Sequence, residues 1–188
     1  MSKAATAAAD IFESPREIEA IGDLYANIWQ VCYVTPDLDR GMELLGEKLG
    51  ITNFTEVPTD GASFKKDGEE KQWDVRVAMG ARGGPIVELI EPVGGEVDFY
   101  RRFLPEDGQN AVGLHHLAVL IPLGDGPWES TRELLGRHGL GYEYTIEIPD
   151  RARLAYTDTT ALLGHWLEIC QLQPADTEFF SGLIEGSA

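Results

Sequence analysis

An internal repeat constrains this chain more than any other feature. Residues 28–50, IWQVCYVTPDLDRGMELLGEKLG, and residues 114–139, LHHLAVLIPLGDGPWESTRELLGRHG, read alike. Each is an apolar run, a proline-containing turn and a helix-period stretch that stops at glycine. In the first, Leu38, Met42, Leu45 and Leu49 share one side of the helix and Gly50 supplies the stop. Further strands follow in both copies: WDVRVAM and PIVELIEP around the turn GARGG, then YEYTIEI, ARLAYTD and HWLEICQL. The order is strand, helix, strand, strand, strand in each, with the second strand of the first copy weakly marked. No helix follows GARGG, so it is a hairpin connection and not a phosphate loop.

The chain divides accordingly into an N-terminal arm (1–27), a first βαβββ module (28–98), a linker with a helical turn (99–112), a second βαβββ module (113–174) and a C-terminal tail (175–188). In the arm, Ser14-Pro15-Arg16-Glu17 has the chemistry of a capping box, with a helix expected through about Tyr25. The stretch from Asp60 to Lys71 reads as a polar loop. The fold class is α+β.

Side chains alternate faces along a strand. On the four strongest strands, one face carries Val31 and Tyr33, Val87 and Leu89, Leu117, Val119 and Ile121, and Leu167 and Ile169. That face is apolar throughout and suits packing against helices. The other is apolar except for one strongly polar residue per strand: Gln30, Glu88, His116 and Glu168. Gln30 and His116 lie on the opening strands of the two copies, Glu88 and Glu168 on the closing strands. A carboxylate in apolar surroundings is unfavourable unless it is paired, protonated or bound to metal. Two carboxylates, an imidazole and an amide oxygen make a reasonable ligand set for one divalent ion: zinc, nickel, cobalt, manganese or iron. Gln30 has the alternative of hydrogen-bonding a neighbour. His115 has the opposite parity, points toward the helix side or a strand end, and is assigned no ligand role. Glu91, near a strand end, reads as a solvated charge.

Cys32, Cys170 and Trp166 share the inner face and are candidates to touch a substrate, with burial as plain hydrophobes the alternative. Tyr156 and Asp158, on the preceding strand, are candidates to edge the cleft. Arg101 and Arg102 in the linker are candidates for an anionic group, with a solvated surface role as the alternative.

The formal charge is −17, from 32 acidic and 15 basic residues. A surface of that sign repels nucleic-acid phosphates and anionic membranes, so neither is an expected partner. No apolar run reaches spanning length, and MSKAATAAAD makes a poor secretory signal. The two cysteines form no CxxC pair, which fits a reduced, cytoplasmic protein.

The duplicated plan, with the strings QVCYVTPDLD, IVELIEP, GLHHLAVLIP and HWLEICQ, resembles the vicinal oxygen chelate superfamily over about Ile28 to Leu172. The resemblance implies two modules curled into an open mixed sheet around one metal cleft, with helices on the outer face. It implies ligands on the first and last strands of each module, hence Gln30, Glu88, His116 and Glu168. Their order resembles zinc-type glyoxalase I. The string FLPEDGQNAVGLHHLAV resembles the middle of methylmalonyl-CoA epimerases, which use two His and a Gln with a single Glu. Val34 stands where glyoxalase I carries a glutathione-binding Arg, and Pro92 where it carries an Asn, so glutathione is not an expected co-substrate.

What the resemblance implies is metal-assisted proton transfer next to a carbonyl of a small molecule, of isomerase, epimerase or lyase type. The catalytic carboxylates are Glu168, favoured as base, and Glu88. The alternatives are a metal-free drug-sequestering protein of the bleomycin-resistance type and a ring-cleaving dioxygenase. Gln30 in place of a first His disfavours the latter. Relatives often pair, so a homodimer is possible.

Overall fold

Two strand–helix units meet along their opening strands. The computed structural model describes residues 11–106 and 111–186. The initial decapeptide of the arm, the middle of the linker and the last two residues lie outside it. The strands are β1 (Ile28–Val34), β2 (Thr55–Glu56), β3 (Ser63–Lys66), β4 (Glu69–Glu70), β5 (Trp73–Gly80), β6 (Ile86–Gly95), β7 (Gly113–Leu120), β8 (Tyr144–Ile148), β9 (Ala152–Thr157) and β10 (Trp166–Leu172). They form one curled sheet ordered β2-β5-β6-β1-β7-β10-β9-β8-β3-β4. β1 and β7 pair antiparallel at the centre, each flanked by the parallel closing strand of its own unit, β6 or β10.

Helices α1 (Leu38–Leu49) and α3 (Asp125–Arg137) cover the outer face. α1 starts at Asp37, which accepts from the Arg40 amide, and ends at Gly50 with φ 70°. Leu38 and Leu45 are buried against Ala78 and Leu89, whereas Leu49 stays exposed. Glu91 is no free surface charge: its carboxylate accepts from the Leu38 amide and from Arg76, tying the start of α1 to the sheet. On the other half, Trp128 and Leu135 of α3 pack on Val119, Ile169 and Leu167.

Two segments depart from expectation. The helix expected from Ser14 does not form. A 3-10 helix spans Ile21–Asn27 instead, with Asp23 accepting from the Ala20 and Glu19 amides, so the effective cap sits later than the Ser-Pro signal. The polar stretch 60–71 is not a loop but contains the hairpin β3–β4. Asp67 and Gly68 both have positive φ, 51° and 79°, and a two-residue Asp-Gly turn of that shape is the favoured hairpin connection. This hairpin leaves the first unit and pairs with β8, at the edge of the second. Phe64 anchors it, with ring centroids 5.4 Å from Trp73 and 5.6 Å from Tyr144.

The tail is helical too: α5 (Pro174–Glu185) starts with proline at its N-terminus, where the missing N–H is harmless. α5 and the short α2 (Asp98–Arg101) lie against the concave face. Phe99 and Tyr100 fill one end of the bowl, packed on Tyr144, Tyr156 and Trp166. Phe180 and Ile184 of α5, with Phe12 and Trp29, fill the other. A last short helix, α4 (Thr160–Leu163), precedes β10.

Gly113, the first residue of β7, holds α2 in place. A Cβ there would lie 1.7 Å from the Phe103 carbonyl oxygen and 2.9 Å from its carbon. Both are backbone atoms, so the segment after α2 must shift. Gly113→Ala is expected to destabilise the fold by about 1–3 kcal/mol, the range for overpacking. Chemical denaturation measures it, and an unchanged midpoint would show that this contact is not tight.

Candidate metal centre

Each of the four central strands contributes one polar side chain to the floor of the bowl, and the side chains converge. Gln30, Glu88, His116 and Glu168 are all buried, none more than 6% exposed. The Gln30 amide donates to Glu88 Oε2 at 2.7 Å. His116 Nε2 lies 3.4 Å from Glu88 Oε2 and 3.5 Å from Glu168 Oε2. Gln30 Oε1 has no hydrogen-bond partner among the described residues, and His116 Nε2 faces these two carboxylates. A buried imidazole between two buried carboxylates, beside an amide oxygen left without a partner, is a set of groups that suits a divalent cation. Turning the Gln30 amide over would place its oxygen where the nitrogen now meets Glu88, as ligation requires.

The electrostatics follow from this packing. Burial alone lowers the His116 pKa, but the Glu168 and Glu88 carboxylates outweigh it and hold the imidazole at about 9. Burial raises the Glu168 pKa, yet His116, Tyr156 and Cys170 reverse the sign and hold it below the usual carboxylate range. The Cys170 thiol donates to Glu168 Oε2 at 3.2 Å. Tyr100 donates to the Tyr156 hydroxyl at 3.0 Å, so a two-tyrosine chain backs Glu168.

His115 is where parity misleads. Between Cys32 and Tyr33, β7 advances two residues, from His116 to Leu114, while β1 advances one. The resulting β-bulge opposes His115 and His116 together to one residue of β1 and turns both inward. His115 is completely buried among Tyr100, Phe103 and Trp166. Its Nδ1 lies 2.9 Å from His116 Nδ1. Burial, then the charge on His116, holds its pKa well below the ordinary value, so it stays neutral and accepts a hydrogen bond from His116. That bond fixes the His116 ring and turns its Nε2 toward the two carboxylates, leaving that nitrogen as the one that could hold a metal. A doublet HH at a strand start was the signal available for this bulge.

Cys32 Sγ and ring nitrogens of His115 and His116 also lie within 4.8 Å of one another. Two observations rank this set below the carboxylate set. The Nδ1 atoms of His115 and His116 are engaged with each other, and burial followed by the charge of Glu88 pushes the Cys32 thiol up, away from the ligating thiolate.

The other candidates separate. Tyr156, Cys170 and Cys32 adjoin the centre. Trp166 is fully buried, its ring edge-on to Phe99 at 5.7 Å. The Arg102 guanidinium sits 5.9 Å over the Trp166 ring, and Arg101 pairs with Asp98. Asp158 caps the start of α4 by accepting from the Thr160 amide and hydroxyl. Sequence reasoning missed two further residues. A small cavity of about 60 Å³ opens on Gln30, Glu88 and Glu168, and Arg151 and Asp176 lie at its wall.

A curled sheet of two βαβββ units with polar residues gathered on its central strands defines a fold of the vicinal oxygen chelate type. The family model described as "Glyoxalase/Bleomycin resistance protein/Dioxygenase superfamily" matches residues 29–153, and the chain belongs to that superfamily. Among solved structures it is similar to methylmalonyl-CoA epimerase from Mycobacterium tuberculosis, at 18% identity and TM-score 0.56 over 87% of this chain and 97% of that one. It is also similar to a Streptomyces coelicolor methylmalonyl-CoA epimerase variant in complex with 2-nitronate-propionyl-CoA, at 19% identity and TM-score 0.53, covering 79% and 95%. A methylmalonyl-CoA epimerase in complex with methylmalonyl-CoA and NH4+ gives 19% identity and TM-score 0.52, covering 79% and 98%. At such identities the likeness is one of fold. No curated protein matches the sequence. No described helix is long and apolar enough to cross a membrane.

Proposed function

We propose that this chain is a divalent-metal-dependent enzyme that transfers a proton at the carbon next to a carbonyl, as an isomerase, epimerase or lyase. The observation carrying it is the buried convergence of Gln30, Glu88, His116 and Glu168, with His116 Nε2 3.4 and 3.5 Å from the two carboxylates and Gln30 Oε1 without a partner among the described residues. These four residues would hold the ion. When bound, it supplies a Lewis acid that stabilises negative charge developing on a substrate oxygen. Glu168 takes the proton, and Tyr156 and Cys170 hold its orientation. Glu88 is the second carboxylate of the set. His115 sets the tautomer of His116, and Tyr100, Phe103 and Trp166 pack around His115 and hold it in place.

Elemental analysis of the purified protein tests the metal. One equivalent of zinc, nickel, cobalt, manganese or iron, lost in Glu168→Ala, is the expected result. Metal-free protein that still binds an aromatic drug would replace this reading with a sequestering role. Oxygen uptake with catechols after ferrous loading would replace it with a dioxygenase. The reaction class is tested without a known substrate by nuclear magnetic resonance in D2O, following exchange of the C–H next to the carbonyl. Acyl thioesters come first, since solved epimerases of this fold hold 2-nitronate-propionyl-CoA and methylmalonyl-CoA.

Methylglyoxal with glutathione is expected to turn over poorly, because Val34 is fully buried where glutathione recognition needs a guanidinium. Turnover assays with that pair decide it, and efficient conversion would defeat this account of Val34 and Pro92.

A further inference from the structure

The cavity over the candidate metal centre is too small for a substrate. Its volume of about 60 Å³ is roughly that of two water molecules, whereas ligand sites occupy roughly 300–1,000 Å³. What closes it is α5. Phe180 packs 5.0 Å from the Trp29 ring, and Asp176, only 6% exposed, reaches the cavity wall. Opposite stands Arg151, the one cation among the residues lining this space. It follows the turn between β8 and β9, where Asp150 has φ 59°, and its carbonyl accepts from the Gln173 amide, just before α5 begins. Arg151 Nε and Nη2 donate to Asp176 Oδ1 at 3.0 and 2.7 Å. Asp176 Oδ2 is buried with no hydrogen-bond partner among the described residues. A guanidinium fork matches both oxygens of a carboxylate. Here it engages one, and the other is left unsatisfied. The floor carries Glu88 and Glu168, so an anion entering this space needs a cation at the rim.

We propose that Arg151 is the anion anchor of the cleft, that a small carboxylate is the ligand class it takes, and that Asp176 holds this place as an internal carboxylate while α5 is closed. This rests on reading the cleft as the active site. A ligand carboxylate exchanges with Asp176 on Arg151, α5 pivots at Gln173–Pro174, and the space over Glu88 and Glu168 enlarges. Substrates are thereby selected for a carboxylate set apart from the carbon that reacts.

Succinate serves as the probe, titrated calorimetrically into wild type, Asp176→Asn and Arg151→Gln, each metal-free and cobalt-loaded. Removing the internal competitor is expected to tighten succinate binding about tenfold or more, and Arg151→Gln to weaken it by a similar factor. Succinate should also shift Trp29 emission as Phe180 withdraws. Asp176→Asn binding no tighter than wild type, or Arg151→Gln binding equally well, overturns the proposal. Should Asp176→Asn fold poorly by circular dichroism, Asp176→Ser gives the same comparison. Cobalt uptake should be equal in wild type and Arg151→Gln. If cobalt fails to bind in any of them, the metal-enzyme reading fails, while succinate binding to metal-free protein still decides the role of Arg151.

Discussion

Replacing Glu168 by glutamine is expected to lower turnover by about 10²–10⁴-fold at saturating metal, the usual contribution of a positioned general base. The substitution keeps shape and volume and removes the negative charge. The amide also loses the interaction that helps hold His116 at about 9. Glu88 stays 3.4 Å from His116 Nε2, so the imidazolium keeps one carboxylate partner and the fold survives. Metal affinity falls as well, because one anionic ligand is gone. Assays must therefore be run across a metal titration, to separate lost occupancy from lost chemistry. Glu88→Gln is the control. It should lose comparable affinity while keeping more of the turnover once metal is saturating. Activity of Glu168→Gln within tenfold of wild type would show that Glu168 is not the base, and the reverse ranking would transfer the role to Glu88.

The residues that place this centre were legible because β1, β6, β7 and β10 are regular where it matters. Strict alternation puts Gln30, Glu88, His116 and Glu168 on one face, and the structure brings them together at the floor. The repeat supplied the rest, since equivalent positions in the two copies meet across the central β1–β7 pair. Alternation fails wherever a bulge inserts a residue. One such bulge turned His115 inward. A second, at Trp29, set that ring among Phe12 and Phe180 on the concave side. The Asp67-Gly68 hairpin carried its own turn signal in a stretch otherwise too polar to read as strand. The docking of α5 is different in kind. Pro174 marks a helix start, but no local pattern says that the helix folds back over the cleft. The Arg151–Asp176 contact that latches it joins two residues far apart in sequence, whose types are common on any surface.

Metal uptake by the metal-free protein is expected to strengthen about tenfold per pH unit below about pH 9, hence by about a hundredfold between pH 6.5 and 8.5. The sign follows from His116. Its pKa is raised to about 9 by the paired carboxylates, against the opposing effect of burial, so at neutral pH the ring carries protons on both nitrogens. The Nδ1 proton is committed to His115. Ligation uses the Nε2 lone pair, so the Nε2 proton must leave when a metal arrives. Raising the pH removes that competition until the ring deprotonates unaided, and the dependence levels above about 9. Cobalt titrations in buffers of different ionisation enthalpy measure both the slope and the proton count, with close to one proton released per ion at pH 7. Gln30→Ala should weaken binding without altering the slope, because the amide has no proton to lose. In Glu168→Gln the slope should level at a lower pH, since one carboxylate no longer supports the imidazolium. An affinity that stays flat from pH 6.5 to 8.5, with no proton released, would mean that His116 Nε2 is not a ligand and that the ion, if any, is held elsewhere.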